Sequence, residues 1–371
     1  MASSASSSSA ALGGGRGGAG PGSASSSAGP ISRSRVPTMP KLLYGTAWKG
    51  DFTSDLVILA LTHGFKGIDT AGQRKHYRED HIGLALQTAS SEMHLPREEL
   101  WIQTKFTPQS GQDWTHPAQV PYGREENVDI QVKKSFAASM RNLHPWLQFE
   151  PLESVNRRIE AGKDDGSEYA DSQGHAYIDS YVLHSSLTTL ERTLKVWSTM
   201  ETFVRLGLVK QIGVSNVYDP DIFQAISKTS SLPPTILQNR WHYSTGHDVA
   251  LLSLLSPTLS PNDFPSRHDS RNHPLPVVYQ PFWSLTGNPN LLASVTVQDL
   301  AIKKNLTPQQ VVYAFLARGM NIPGLHVTVL SGTTDEQHML QAVAAVNDAT
   351  LTPHAWSDDE LDAVRKIVYG E

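Results

Sequence analysis

From Lys41 onward, short apolar runs alternate with longer stretches whose apolar residues recur every three or four positions. The short runs, residues 42–48, 67–71, 100–106, 178–184, 211–216, 235–238, 277–282 and 326–331, have the length and composition of strands. The longer stretches, among them 56–63, 127–143, 189–206 and 308–318, carry the period of helices buried along one face. Strand and helix alternating eight times predict a parallel sheet with helical crossovers. Eight such units close into a (β/α)8 TIM barrel of the α/β class. An open doubly wound sheet competes, but it carries a glycine fingerprint after its first strand. Here that strand runs into Gly45-Thr46-Ala47-Trp48, so the barrel is the expectation.

Three insertions interrupt the alternation. Residues 108–126 follow the third strand, which places them on the C-terminal face, where barrel active sites lie. Residues 150–177 and 256–276 each fall between a helix and the next strand, on the opposite face. Their Pro, Ser, Asp and Arg content predicts solvated loops or contact surfaces.

Composition narrows the function. The 371 residues carry a net charge of −5, which gives no reason to expect nucleic acid or an anionic membrane as partner. There are no cysteines, which excludes disulfides, thiolate metal sites and a cysteine nucleophile, and suits a cytoplasmic location. No window reaches the roughly 20 apolar residues of a membrane span. Residues 1–38 are mostly Ser, Gly and Ala, with Arg16, Arg33 and Arg35 and no acidic residue. They read as a disordered tail ahead of a single barrel domain at 39–371. A transit peptide is the alternative, which the run from Gly13 to Gly20 disfavours. Gly13, Gly15 and Gly18 fit GxGxxG, but without a strand before or a helix after them the match is compositional.

Polar residues at the C-terminal ends of barrel strands carry the chemistry. They are Asp69 on the second strand, Lys105 on the third, His184 on the fourth, Ser215 and Asn216 on the fifth, and Gln238 on the sixth. Tyr77 stands just before a helix at 79–89. A phenol is a poor acid at neutral pH. An ammonium such as Lys105 beside it lowers its pKa, and Asp69 can hold that lysine charged. A neutral His184 can donate to a carbonyl oxygen. Singly, each residue has a structural explanation as a cap, a solvated strand end or a packed ring; together they describe a proton-transfer site.

These stretches resemble the aldo-keto reductase family. The likeness rests on Gly64-Phe65-Lys66-Gly67-Ile68-Asp69-Thr70-Ala71, Tyr77-Arg78-Glu79 with Ile82-Gly83-Leu84-Ala85-Leu86, and Ile102-Gln103-Thr104-Lys105. Ile178-Asp179-Ser180-Tyr181-Val182-Leu183-His184 and, most specifically, Ile212-Gly213-Val214-Ser215-Asn216 complete it. The resemblance implies a fungal-like, NADP(H)-dependent oxidoreductase of the alcohol dehydrogenase or carbonyl reductase type, reducing a small aldehyde or ketone. It implies Tyr77 as general acid, Lys105 and Asp69 as its tuning pair, and His184 as the donor that orients substrate. It places Ser215, Asn216 and Gln238 at the nicotinamide carboxamide and Tyr279 against the nicotinamide ring. Gly45, Thr46 and Trp48 fall at the cofactor and substrate mouth. Ser331, Gly332, Thr333, Gln337 and Gln341 fall at the phosphate end.

Three departures qualify the likeness. Eight positions separate Asp69 from Tyr77, more than the common family spacing, so the Gln73-Arg74-Lys75 stretch must bulge. Some family members carry a similar Gln-Arg-Lys-His-Tyr stretch. The basic residue expected near the eighth strand is missing from Leu330-Ser331-Gly332-Thr333-Thr334, leaving hydroxyls and helix-start amides to receive phosphate. The final helix, at 356–368, is followed by a short tail, implying an open pocket lined by Trp48, Phe106, Trp114 and Trp241. The rival functions are a non-catalytic, cofactor-binding barrel that acts as a regulatory subunit, and a Schiff-base aldolase using Lys105. No cluster of strand-end histidines points to a metal.

Overall fold

The computed structural model describes residues 39–256, 267–268, 274–347 and 356–370, all within a unit spanning Pro37–Glu371. The tail read at 1–38 lies outside them, as does most of the insertion at 256–276. Of that insertion's interior only a short antiparallel pairing of Arg267–His268 with Pro274–Leu275 is described. No helix among the described residues is long and apolar enough to cross a membrane.

The strands β1 (Leu42–Gly45), β2 (Gly67–Asp69), β3 (Trp101–Phe106), β4 (Ile178–Leu183), β5 (Val209–Ser215), β6 (Ile236–Arg240) and β7 (Val278–Phe282) pair in chain order, every pair parallel. The eighth segment is broken at Thr328. Its first half, His326–Val327, pairs with β7, and its second half, β8 (Val329–Ser331), pairs with β1. Thr328 bridges the break, its amide on the Tyr279 carbonyl at 3.0 Å and its hydroxyl on the Pro40 carbonyl at 2.9 Å. The ring is thereby closed, and the eight strands expected from the apolar runs are the eight observed.

Around the ring lie α1 (Thr53–Thr62), α2 (Glu79–Ser91), α3 (Val128–Leu143), α4 (Leu152–Glu160), α5 (Leu190–Arg205) and α6 (Pro220–Thr229), then α7 (Val249–Leu255), α8 (Val295–Lys304), α9 (Pro308–Ala317), α10 (Glu336–Val346) and α11 (Asp358–Tyr369). Local chemistry sets their ends. Thr307 and Gln310 form a reciprocal capping box that starts α9 behind Pro308, and Ser357 with Glu360 does the same for α11. α2 approaches α3 so closely that a Cβ on Gly83 would lie 2.0 Å from the Asn142 carbonyl. β3 and β4 are buried along their whole length, as parallel strands covered on both faces must be.

The insertion at 150–177 differs from the expected solvated loop. Val155 and Ile159, one helical turn apart, give α4 a buried stripe, and Tyr169 packs edge-on against Phe136 (5.6 Å) and Phe203 (5.2 Å). Arg158, partly exposed, pairs with Glu150 at the surface and with Glu168, which is buried.

Candidate active site

Strand parity decides which side chains enter the barrel. Asp69, Gln103, Lys105, Gln238 and Gln280 all do, and they form one hydrogen-bonded layer. Lys105 Nζ donates to both Asp69 oxygens at 2.7 Å and to the Thr70 carbonyl at 2.8 Å. The amides of Gln103 and Gln238 reach Asp69 Oδ1 at 2.7 and 3.1 Å, and both also donate to Gln280 Oε1. Ser180 and Trp101 extend the layer to β4. Lys105 is 1% exposed, and burial draws its ammonium below the ordinary range while Asp69 opposes that.

Tyr77 and His184 stand above this layer. Their rings meet edge to face at 6.0 Å, and Lys105 Nζ lies 5.6 Å from the Tyr77 ring centre. The longer stretch between Asp69 and Tyr77 folds into a turn closed by the Tyr77 amide on the Gln73 carbonyl at 3.1 Å. It is anchored by the Trp48 amide on the His76 carbonyl at 2.8 Å and by the Gln73 side chain on the Gly111 carbonyl. Glu79, buried between the Thr104 and Ser139 hydroxyls, pins the start of α2 behind Tyr77.

The electrostatics differ from the sequence expectation. Burial, reinforced by the Asp69 charge, pushes the Tyr77 phenol up, whereas Lys105 was expected to pull it down. The reason is geometric: the ammonium faces both oxygens of Asp69, so its charge is already matched before it reaches the phenol. His184 is pushed down to about 3 by burial first, then by Lys105 and His76, and is a neutral imidazole at physiological pH. Its Nδ1 lies 2.7 Å from the Thr107 hydroxyl.

These groups open into a cavity of about 950 Å³. Its wall takes in Asp69, Tyr77, His184, Ser215, Asn216 and Gln238, Gly45 at the end of β1 and Trp48 in the loop after it, and Ser331, Gly332, Thr333 and Gln341 at the far end. Asn216 adopts left-handed backbone (φ 53°), which asparagine tolerates, and its amide donates to the His184 carbonyl at 2.9 Å. Thr46 is buried beneath the wall, its hydroxyl on the Asp69 carbonyl at 2.8 Å.

Other expected wall residues lie elsewhere, and parity explains three of them. Gln280 faces into the barrel, so Tyr279 faces out; its hydroxyl donates to buried Asp248 at 2.8 Å. Lys105 faces in, so Phe106 packs outward near Tyr122 (5.9 Å). Arg240 lines the mouth, so Trp241 packs outward on His247 (4.7 Å) and Phe315 (6.5 Å). Trp114 is held in its own loop by a bond to the Gln109 carbonyl and lines a separate depression with Arg124 and Leu187. Gln337 falls off the face of α10 that His338 and Gln341 present to the cavity.

A sequence model of the Aldo/keto reductase family matches residues 167–251. Across most of its length the chain is 26% identical to aldo-keto reductase family 1 member A1 of Sus scrofa, covering 88% of this chain and 86% of that protein. It is 22% identical to the NAD(P)H-dependent D-xylose reductase of Kluyveromyces lactis, covering 85% and 86%. Over most of its length the chain is thus similar to aldo-keto reductases. A shorter stretch, 33% of this chain, is 31% identical to the NAD/NADP-dependent indole-3-acetaldehyde reductase of Schizosaccharomyces pombe and spans 41% of that protein. The barrel itself matches an aldo-keto reductase from a Medee basin deep-sea metagenome (TM-score 0.58, 18% identity, covering 90% of this chain and 93% of the other). It also matches one from Bombyx mori solved in complex with NADP (TM-score 0.56, 17% identity, 89% of each).

Several wall residues escaped the sequence reading. Phe282 and Trp283 at the end of β7, His76 in the lengthened turn, Arg240 on β6, and Gln309, Gln310 and His338 at the far end all line the cavity. Phe282 was within reach of the parity rule, because a polar Gln280 at an inward position makes Phe282 inward as well. Lys49 was also missed. Its ammonium donates to the Gly332 carbonyl, bringing a cation from the β1 loop to the segment that lacks one of its own. The start of α10 offers a phosphate less than expected, since Asp335 already takes the His338 amide at 2.9 Å and Glu336 stands in the first turn.

Proposed function

We propose that the protein reduces an aldehyde or ketone to the alcohol, with NADP(H) supplying the hydride and Tyr77 the proton. The observation that carries the reading is the Tyr77–His184 pair standing over the Lys105–Asp69 ion pair at one end of an elongated cavity. A phenol raised by burial is fully protonated at neutral pH, which is the form a general acid must have. As the carbonyl carbon takes hydride, its oxygen gains negative charge. The Tyr77 O–H bond breaks toward that oxygen, and the phenolate left behind faces the Lys105 ammonium. His184, neutral, donates to the same oxygen and fixes its position.

The donor set fits a nicotinamide dinucleotide. Ser215, Asn216 and Gln238 present hydroxyl and amide groups beside the reacting end, where a carboxamide needs both donors and acceptors. Phe282 and Trp283, in place of Tyr279, offer the aromatic face on β7. Ser331, Gly332, Thr333 and Gln341, with Lys49, would hold the phosphates. The single domain is taken as residues 39–371.

The test follows NADPH and NADH oxidation by absorbance over a panel of aromatic, aliphatic and sugar aldehydes, with cofactor Kd measured by fluorescence. Turnover that falls at least about a hundredfold in Tyr77→Phe, with cofactor Kd little changed, is the expected result. Cofactor binding with no turnover of any aldehyde would overturn the reading in favour of a non-catalytic barrel.

A further inference from the structure

Two positions beyond Gln238 on β6 stands Arg240. Residues two apart on a strand share a face, so Arg240 lies on the same inner side as Gln238, about 7 Å nearer the mouth. Gln238 touches Asp69 at 3.1 Å, which puts Arg240 directly outward of the reacting layer. Its register partner on β7 is Phe282, and both line the cavity.

The guanidinium packs against two aromatic rings. It lies 4.6 Å from the Trp283 ring centre and 6.0 Å from that of Phe282. Trp283 itself is fixed at the rim in left-handed backbone (φ 61°) by a turn in which the Gly287 amide closes on the Trp283 carbonyl at 3.0 Å. A Cβ at Gly287 would lie 2.6 Å from that carbonyl, so the turn is tightly closed. The Arg240 amide donates to the Tyr218 hydroxyl, which donates to Asn216 Oδ1, both at 3.1 Å. Backbone and ring together pre-organise this cation.

Among the described residues no carboxylate matches its charge. Asp69 is the carboxylate of the cavity wall, and Lys105, Gln103 and Gln238 already engage it. Arg240 makes no ion pair with a carboxylate among the described residues. The other arginines near the mouth, Arg74 and Arg78, are paired with Asp80 and Asp51.

We propose that Arg240 receives an acidic group of the substrate, so that the preferred carbonyl compounds carry a carboxylate or phosphate ester remote from the carbonyl. The inference rests on the reduction reading above. A cofactor phosphate offers the same anion chemistry, but the segment Ser331–Thr333 has its own ammonium in Lys49, while Arg240 shares its strand face with the reacting layer.

The experiment compares kcat/KM for charged and neutral partners of one shape, 4-formylbenzoate against 4-formylbenzamide and D-glucuronate against D-glucose. It uses the full-length enzyme and its Arg240→Gln and Arg240→Lys variants, at low and high salt, with cofactor Kd measured in each. The charged-to-neutral ratio should fall about tenfold or more in Arg240→Gln and partly recover in Arg240→Lys. Salt should lower it in the unaltered enzyme but not in Arg240→Gln. An unchanged ratio in a variant that still reduces the neutral aldehydes overturns this inference and leaves the reduction reading standing. An unchanged ratio with weakened cofactor binding assigns the anion to the cofactor and overturns the substrate assignment. No turnover of any aldehyde by the unaltered enzyme sinks both.

Discussion

In the proposed reduction His184 depends on Thr107. A neutral imidazole has one donor and one acceptor nitrogen, and the partner of one fixes the role of the other. The Thr107 hydroxyl lies 2.7 Å from Nδ1, and the proposed reduction requires it to donate there, so that Nε2 keeps the proton a carbonyl oxygen needs. Thr107 is itself held rigidly, its carbonyl accepting from the Tyr122 hydroxyl at 2.6 Å. Thr107→Val keeps the shape and removes the hydroxyl. It should lower kcat/KM about tenfold, leave cofactor Kd unchanged and mix the imidazole tautomers seen by nitrogen NMR. Thr107→Ser should restore both readouts, and a valine variant with native kinetics would refute the role. Because His184 is pushed down to about 3, its ionisation should not shape the rate profile above pH 5. The sequence exposed His184 through its strand-end motif. It gave no sign of Thr107, because the two residues lie 77 positions apart and meet only when β3 and β4 pair.

At the scale of elements, the apolar runs located every strand of the ring to within a few residues, since parallel strands buried on both faces are written as dense apolar blocks. What those blocks conceal is which residues face inward. A continuous run has no alternation to read, so Tyr279, Phe106 and Trp241 could not be told from their neighbours by hydrophobicity. The polar residue within each strand carries the phase: Gln280, Lys105 and Gln238 each mark the inner face. A direct check is Tyr279→Phe. It removes the bond to Asp248 and should cost about 1 kcal/mol of stability in chemical denaturation, while cofactor Kd stays within about twofold. A large loss of cofactor affinity without loss of stability would instead place that ring in the cavity. The far end of the cavity was harder to read for a different reason, because Lys49 reaches Gly332 across the seam between β1 and β8.

For the whole molecule, buried histidines tie stability to pH. His144, at the end of α3 with Nδ1 2.9 Å from the Met140 carbonyl, is pushed down to about 4, chiefly by burial and next by Arg97. Above pH 6.5 it is neutral in both folded and unfolded chains. Between 6.5 and about 4 only the unfolded chain takes the proton, so stability is lost as pH falls. His184 acts in the same direction down to about 3. Asp248, raised by burial to about 6, acts oppositely: its folded form gains a proton first, adding stability as pH drops through 6. His144→Gln should therefore flatten the decline of the denaturation midpoint from pH 6.5 to 4, whereas parallel slopes in the two proteins would refute the assignment.

The broken eighth strand has a kinetic side. Leu42 pairs with Val329, so the contact that completes the ring joins the two most distant parts of the barrel, and forming it carries the largest entropy of chain closure. Until then β1 and β7 each present a row of unsatisfied main-chain donors and acceptors to solvent. The Asp69 layer, which draws on β2, β3, β6 and β7, is likewise incomplete while the halves stand apart. In a chain whose ring is still open, the incomplete layer and the exposed strand edges coincide, so closure of one seam finishes both.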